Sequence, residues 1–177
     1  MARGHSTVPD GSEIPGPAGT VASGPLPRVA AKELPLTPVT VHRRTLERST
    51  TAETDVLDVT PDVVRLVGES GVLEGTVTVF TPGATAGVTT IEHESGCLAD
   101  LRRALEIVAP RDGEYEHNLR WGDGNGYSHV RAALLGPSLT VPVAGSQPGL
   151  GTWQQVVVCD FDNRPRTRKI IVQVQGE

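Results

Sequence analysis

A chain of 177 residues has room for one domain, or one domain with an extension, and not for two full-sized folds. Its 16 Lys and Arg against 21 Asp and Glu give a formal charge of −5, which excludes a protein that grips a nucleic-acid backbone by bulk electrostatics. Two cysteines, Cys97 and Cys159, exclude a disulfide framework and have no zinc-knuckle spacing, so a reducing cytoplasm is the expected setting.

Hydrophobic residues make up 37% and aromatics 3% of the chain, so the core must be built from Val, Leu, Ile and Ala. No run of 18 apolar residues occurs, which removes a transmembrane helix and a membrane partner from consideration. Pro9, Asp10, Gly11, Glu13, Pro15 and Pro17 interrupt any apolar h-region at the start, which disfavours secretion. Seven of the 14 prolines lie within the first 40 residues, and 12 of those 40 residues are Pro or Gly. The composition therefore predicts a disordered extension over 1–38 and a folded domain over 39–177.

Along the domain, alternation over 39–47 predicts a strand, which residues 56–59 continue in the same sheet. Thr60-Pro61-Asp62 supplies an N-cap, an N1 proline and an early acid, so a short helix is expected over 61–69, with Gly71 as its stop. β-Branched residues predict strands over 76–80 and 85–91. Leu98, Leu101, Leu105 and Val108 recur at three- and four-residue spacing. They predict a helix over 95–108, with Asp100, Arg102, Arg103 and Glu106 as its solvated face and Pro110 as its end. A polar, Gly-rich stretch over 114–126 precedes a short helix over 128–135 that Gly136-Pro137 stops. Strands over 139–143, 152–161 and 169–175 complete the order β-β-α-β-β-α-α-β-β-β, an α+β class with no βαβ repeat and hence no Rossmann site.

Chemistry concentrates where the regular signals stop. Residues 114–129 hold two imidazoles, three carboxylates and two carboxamides among three glycines, in a segment of the kind that carries sites on a rigid scaffold. His117 and His129, twelve residues apart, have the side chain suited to a divalent metal or to proton transfer near neutral pH. Spacing alone leaves open the alternative that each makes an ordinary loop or helix-end hydrogen bond, and that Asp123-Gly124-Asn125-Gly126 is a pair of tight turns.

Tyr115-Glu116-His117-Asn118, Trp121-Gly122-Asp123-Gly124-Asn125 and the run from Ser128-His129-Val130-Arg131-Ala132-Ala133 to Gly136-Pro137-Ser138-Leu139 resemble the YjbQ family, the secondary thiamine-phosphate synthase family. Thr85-Ala86-Gly87-Val88-Thr89 with Glu92, Gly151-Thr152-Trp153-Gln154 and the ending Val174-Gln175-Gly176-Glu177 agree in order and spacing. The resemblance covers the domain from about Val39 and leaves the extension outside.

It implies a compact, β-rich α+β homotrimer with a small-molecule pocket where histidines gather and hold a metal ion or an anion. It implies a weak capacity to join the pyrimidine pyrophosphate and thiazole phosphate halves of thiamine. On this reading His117, His129, Asp123 and Glu92 are the catalytic candidates. Thr85, Trp121, Asn125, Arg131, Thr152, Trp153 and Gln154 are candidates for substrate binding, with the indoles stacking on planar rings and Arg131 on a leaving pyrophosphate.

The departures are at pocket positions. Where the family has Pro-His-Thr/Ser-Thr/Ser-Ala, this chain has Pro82-Gly83-Ala84-Thr85-Ala86; Ile91 replaces an amide and Ala133 a serine. His93 is the one imidazole near this block, and it is not expected to restore the missing ligand. With Gly83 in place of a histidine, His117 and His129 remain as metal ligands where catalytic zinc has three, so a divalent metal is expected to bind weakly at best, and a cofactor is unassigned. The function expected is that of a YjbQ-type enzyme with an impaired metal site. The alternatives are a repurposed metal-free acid–base enzyme (cyclase, lyase or hydrolase) of specialised metabolism, and a non-catalytic trimeric binding protein.

Overall fold

The computed structural model describes residues 38–52 and 54–177; the extension predicted over 1–38 lies outside the described residues, apart from Pro38. Within the domain eight strands and four helices follow in the order β1 (Thr40–Ser49), β2 (Asp55–Asp58), α1 (Thr60–Ser70), β3 (Glu74–Phe80), β4 (Ala86–Ile91), α2 (Ser95–Val108), α3 (Glu116–Trp121), α4 (Gly126–Leu135), β5 (Ser138–Ala144), β6 (Gln147–Pro148), β7 (Gln155–Asp160) and β8 (Thr167–Gly176). Every strand pair is antiparallel, as the absence of a βαβ pattern requires.

The strands form two sheets, one ordered β1-β8-β3-β5-β6 and the other β2-β7-β4. This corrects the expectation that residues 56–59 extend the sheet begun by β1: Val56 pairs with Cys159 of β7, whereas Leu46 of β1 pairs with Ile170 of β8. The polar stretch between them carries the chain from one layer to the next.

Side-chain alternation explains the layering. The inward faces of β3, β5 and β8 present Val77, Val79, Val141, Val143, Ile170, Val172 and Val174, and they enclose a core with Val63, Leu66 and Val67 of α1 and Val88, Val156 and Val158 of the smaller sheet. The other face of that sheet carries Val157 and Cys159 and packs against Leu105 of α2 and Ala132 of α4. β7 is therefore buried on both faces, which is why Val156-Val157-Val158-Cys159 reads as a continuous apolar run instead of an alternating one.

α2 occupies the predicted span, and Glu94 caps it by accepting from the backbone N–H groups of Gly96 (2.7 Å) and Cys97. Thr60 is the first helical residue of α1 and not its cap; its hydroxyl accepts from Val156 N (2.8 Å), tying the helix to β7. The face of α2 expected to be solvated is so only in part, since Arg102 Nε donates to Thr54 O (3.2 Å) and Glu106 meets a buried arginine of α4. Residues 152–154 are a turn before β7 and not the start of the strand. Two elements, α3 and β6, have no counterpart in the sequence-based order. Among the described residues no helix is long and apolar enough to cross a membrane.

Candidate functional site

The polar stretch after α2 folds as two short helices that turn back on one another, and this is what brings its histidines together. α3 ends at Gly122 in the left-handed conformation (φ 68°). Asn118 Oδ1 of α3 then accepts from Gly126 N (2.8 Å) at the start of α4. A Cβ at Gly126 would lie 2.4 Å from Tyr115 Cβ, so this close approach of backbone to side chain needs glycine. Ser128 is buried and donates to Phe161 O (2.6 Å), pinning α4 onto the end of β7. Across the resulting corner the rings of His117 and His129 lie 4.4 Å apart between centroids, tilted by 47°.

Asp123 and Asn125 close the cluster. Asp123 Oδ1 is 3.4 Å from His117 Nε2, and the loop that carries it is anchored by Asn163 Nδ2 donating to Asp123 O (2.8 Å). The orientation of the Asn125 amide that satisfies its surroundings puts its nitrogen 3.1 Å from both His117 Nε2 and Asp123 Oδ1. His117 Nε2 thus has a donor and an acceptor within reach: neutral, it accepts from Asn125; protonated, it donates to Asp123.

His129 faces the other way, into a cavity of about 200 Å3 lined by Gly83, Ala84, Ala86, Ala132 and Ala133. Small apolar groups stand at the two positions, 83 and 133, where the resemblance has a histidine and a serine, so His129 is the polar side chain of this lining. Gly83 has φ +127°, a conformation that side chains rarely adopt, so the loop is shaped around glycine and does not merely lack an imidazole. Among the described residues no group of three or more His, Cys, Asp or Glu is placed to hold a metal ion. Nε2 of His117 is engaged by Asp123 and Asn125, and the third position offers no donor, so this residue set does not fit a catalytic metal.

Of the residues singled out from the sequence, His117, His129, Asp123 and Asn125 are therefore brought together. Arg131 is not with them. Two positions from His129 on α4, it projects from another face and is 2% exposed. Its Nε and Nη2 donate to Ala109 O (2.9 and 2.7 Å), Nη2 reaches Glu106 Oε1 (2.6 Å), and its guanidinium lies 4.8 Å from the centre of the Tyr127 ring. The arginine read as a pyrophosphate ligand clamps the C-terminal end of α2; burial raises the Glu106 pKa, but the hydrogen bonds from Arg131 and from Arg111 N outweigh it and hold the carboxyl below its ordinary range.

Thr85 is likewise internal: its hydroxyl donates to Asp162 Oδ2 (3.0 Å) and accepts from Arg168 Nη2 (2.8 Å). Glu92 is exposed beyond β4 and makes no hydrogen bond or ion pair with either histidine. Trp121, at the end of α3, is 66% exposed beneath Arg120, and Trp153 is 71% exposed. In the turn holding Trp153, Gln154 Nε2 donates to Thr90 Oγ1 (3.1 Å) and Thr152 O accepts from Gln155 Nε2 (3.2 Å), both directed to β4 and β7 rather than to the histidines. His93 Nε2 lies 3.2 Å from Val56 O, so it does not join the cluster.

The sequence reading passed over a buried network beneath the cavity. Continuing the inward face of β8 past Ile170, Arg168 enters between the sheets, where its Nε and Nη2 grip Asp160 Oδ2 (2.7 Å) and Oδ1 (2.5 Å). Thr50 Oγ1 donates to Asp160 Oδ2 (2.6 Å), and Arg166 Nε to Asp162 Oδ2 (2.8 Å). Burial raises the Asp160 pKa, but these donors outweigh it and hold the carboxyl below its ordinary range. The available signal was Asp160 and Asp162 two apart at the end of an apolar strand, followed by Arg166 and Arg168 with the same spacing.

The sequence profile of the YjbQ family, described as "UPF0047 protein YjbQ-like", matches residues 44–177. A UPF0047 protein of Methanothermobacter thermautotrophicus is 37% identical over 137 residues, which is 77% of this chain and 94% of that protein. The UPF0047 protein YugU of Bacillus subtilis is 31% identical over 134 residues, 75% of this chain and 98% of the relative. Among solved structures, a YbjQ-like protein of unknown function from Sulfolobus solfataricus P2 superposes with a TM-score of 0.76 at 28% identity, covering 79% of this chain and all of the other. An uncharacterized conserved protein of the yjbq/upf0047 family from Clostridium acetobutylicum gives 0.65 at 32% identity, covering 73% and 98%. The shared β-rich α+β architecture and the length of the matched segment agree, and the chain belongs to the YjbQ (UPF0047) family.

Proposed function

We propose that the protein is a metal-independent acid–base enzyme acting on a small molecule, with His129 as the group that exchanges a proton with the substrate and His117 as its neighbour in the relay. The observation that carries this reading is the contact of the two imidazoles, one facing an apolar cavity and the other held by Asp123 and Asn125. A ring in an apolar cavity works in a medium where proton transfer is not levelled by water, and its partner's Asp–Asn pair accommodates both the neutral and the charged imidazole. Isomerisation, elimination and hydrolysis of a neutral group all need such a pair, and none requires a cation on a departing pyrophosphate. Arg131, the side chain that the thiamine-phosphate synthase reading placed on the pyrophosphate, is committed to α2. That favours the acid–base reading over synthase activity.

The same reading takes the protein as a cytoplasmic homotrimer with no nucleic-acid or membrane partner. Exposed Leu119, Trp121, Leu134 and Trp153 on the helical side and around the turn before β7 are the kind of apolar surface that a subunit contact covers, and light scattering measures the assembly directly. The catalytic test is deuterium incorporation into small enolisable ketones and turnover of a panel of esters and lactones, run beside the two thiamine halves. His129→Ala is expected to lower turnover of the neutral substrates by about 100-fold or more without loss of the folded assembly. Synthase activity that survives in His129→Ala would rule the reading out.

A further inference from the structure

The cavity beside His129 has apolar walls, yet a charged group stands directly behind its rim. A Cβ placed on Gly83 would lie 3.5 Å from Nη1 of Arg168, and Gly83 lines the cavity. Every hydrogen bond that Arg168 makes leaves from its other two nitrogens: Nε and Nη2 hold Asp160, and Nη2 also reaches Thr85. Nη1, with two N–H donors, has no acceptor among the described residues although Arg168 is buried. Beside it Asp162, which is also buried, keeps Oδ1 without a hydrogen-bond partner, with Arg164 Nε 4.0 Å away. Two carboxylates, Asp160 and Asp162, face three guanidiniums, Arg164, Arg166 and Arg168, of which Arg168 alone is buried.

Nη1 is not sealed from solvent, so water or a ligand is its acceptor. Because residue 83 has no side chain, and its φ of +127° reserves the position for glycine, the space that a side chain would fill beside this donor stays open. The cavity, about 200 Å3, is smaller than the roughly 300–1,000 Å3 that houses drug-sized ligands.

We propose that the pocket receives a small monocarboxylate with a compact apolar body. Its carboxylate is seated over Gly83 against Arg168 Nη1, and its body lies on Ala84, Ala86, Ala132 and Ala133, beside His129. The proposal rests on the acid–base reading of that histidine and supplies its substrate class. A single guanidinium edge suits one carboxylate, and methyl walls disfavour the hydrated surface of a phosphate.

Calorimetry on the full chain with isobutyrate, isobutyramide and inorganic phosphate separates the possibilities. Isobutyrate is expected to bind at least about tenfold more tightly than the isosteric amide, and to shift the side-chain ¹⁵N resonance of Arg168 and the ring resonances of His129. Arg168→Gln strips Asp160 of its partner and is at risk of not folding. The decisive variant is therefore Ala84→Asp, at an exposed rim position, where the preference for carboxylate over amide should fall by about tenfold or more. Equal binding of acid and amide, tighter binding of phosphate, no binding of isobutyrate, or a preference unchanged in Ala84→Asp would each overturn the proposal. His129→Ala keeps the two readings distinct. If it retains both turnover and isobutyrate binding, only the acid–base assignment fails; if wild-type protein turns over neutral substrates but ignores isobutyrate, only the carboxylate seat fails.

Discussion

Two kinds of polar cluster sit within one helix of each other, and they differ in how completely their members are used. Arg168 and Arg131 are buried, and their main contacts run from 2.5 to 3.0 Å. Around His117 and His129 only Asn125 is buried, the other side chains are half-buried, and the contacts run from 3.1 to 3.4 Å. A closed network earns its place through the fold, because any member removed leaves another stranded in low dielectric. An open one has capacity left for a ligand, and in the Arg168 network that capacity is confined to Nη1, which the bonds to Asp160 and Thr85 do not use. α4 carries both kinds on different faces, Arg131 on one and His129 on another, so residue type alone could not tell a structural cation from a chemical one.

The comparison predicts a graded set of outcomes. Arg168→Ala should be the most damaging change: breaking a buried pair by removing one partner costs about 3–5 kcal/mol, read as a lower denaturant midpoint. The same pair carries a pH signature. The folded-state pKa of Asp160 is depressed, so its stabilisation is fully present above the ordinary aspartate value of about 3.9 and is lost as pH falls through the lower folded value. Acid unfolding should accordingly begin below about pH 4 and move to higher pH in Arg168→Ala. A midpoint unchanged by the substitution would show the cluster to be as loosely held as the histidines.

Arg131→Met should cost about 2 kcal/mol, because it frees the Ala109 carbonyl while keeping most of the buried stem. A loss of substrate turnover with stability intact would instead return Arg131 to the site. His117→Ala and His129→Ala should each cost less than about 1 kcal/mol, with the effect falling on turnover; unfolding in either would erase the distinction between the clusters. At the far end, Cys159, whose thiol burial pushes up to about 12, should resist disulfide reagents at neutral pH until the protein unfolds. Rapid labelling of Cys159 in the native state would mean that the sheet between the two cores opens readily.

The sequence made legible whatever repeats with a period. α2 declared itself through Leu98, Leu101 and Leu105, and the β-branched runs marked most strands. Assignment of those strands to sheets was hidden, because β1 and β2 differ not in local pattern but in which distant strand meets them. α3 was hidden for another reason. Its six residues hold polar groups beside Gly122 and Gly124, and it exists because Asn118 and Tyr115 pack on the start of α4, which no local propensity encodes. In the site, the pairing of His117 with His129 was legible from the ordered motif blocks. The fate of Arg131 was not, since its partners are a backbone carbonyl 22 residues away and a glutamate on the supposedly solvated face of α2.

The place of β8 in the larger sheet bears on how the chain reaches this state at all. β8, the latest of the described strands in chain order, lies between β1 and β3, pairing Thr40 with Gly176 and Val79 with Val172. Until β8 is made, β1 is cut off from β3-β5-β6: the edges of β1 and β3 stand open, and Val77 and Val79 lack the neighbours that Val174 and Val172 provide. Long-range pairing of this kind slows folding and exposes strand edges that invite association with other chains. Removal of residues 167–176 would therefore take out the strand that joins β1 to the rest of the sheet, and a nascent chain stalled before Thr167 is expected to depend on shielding until β8 arrives.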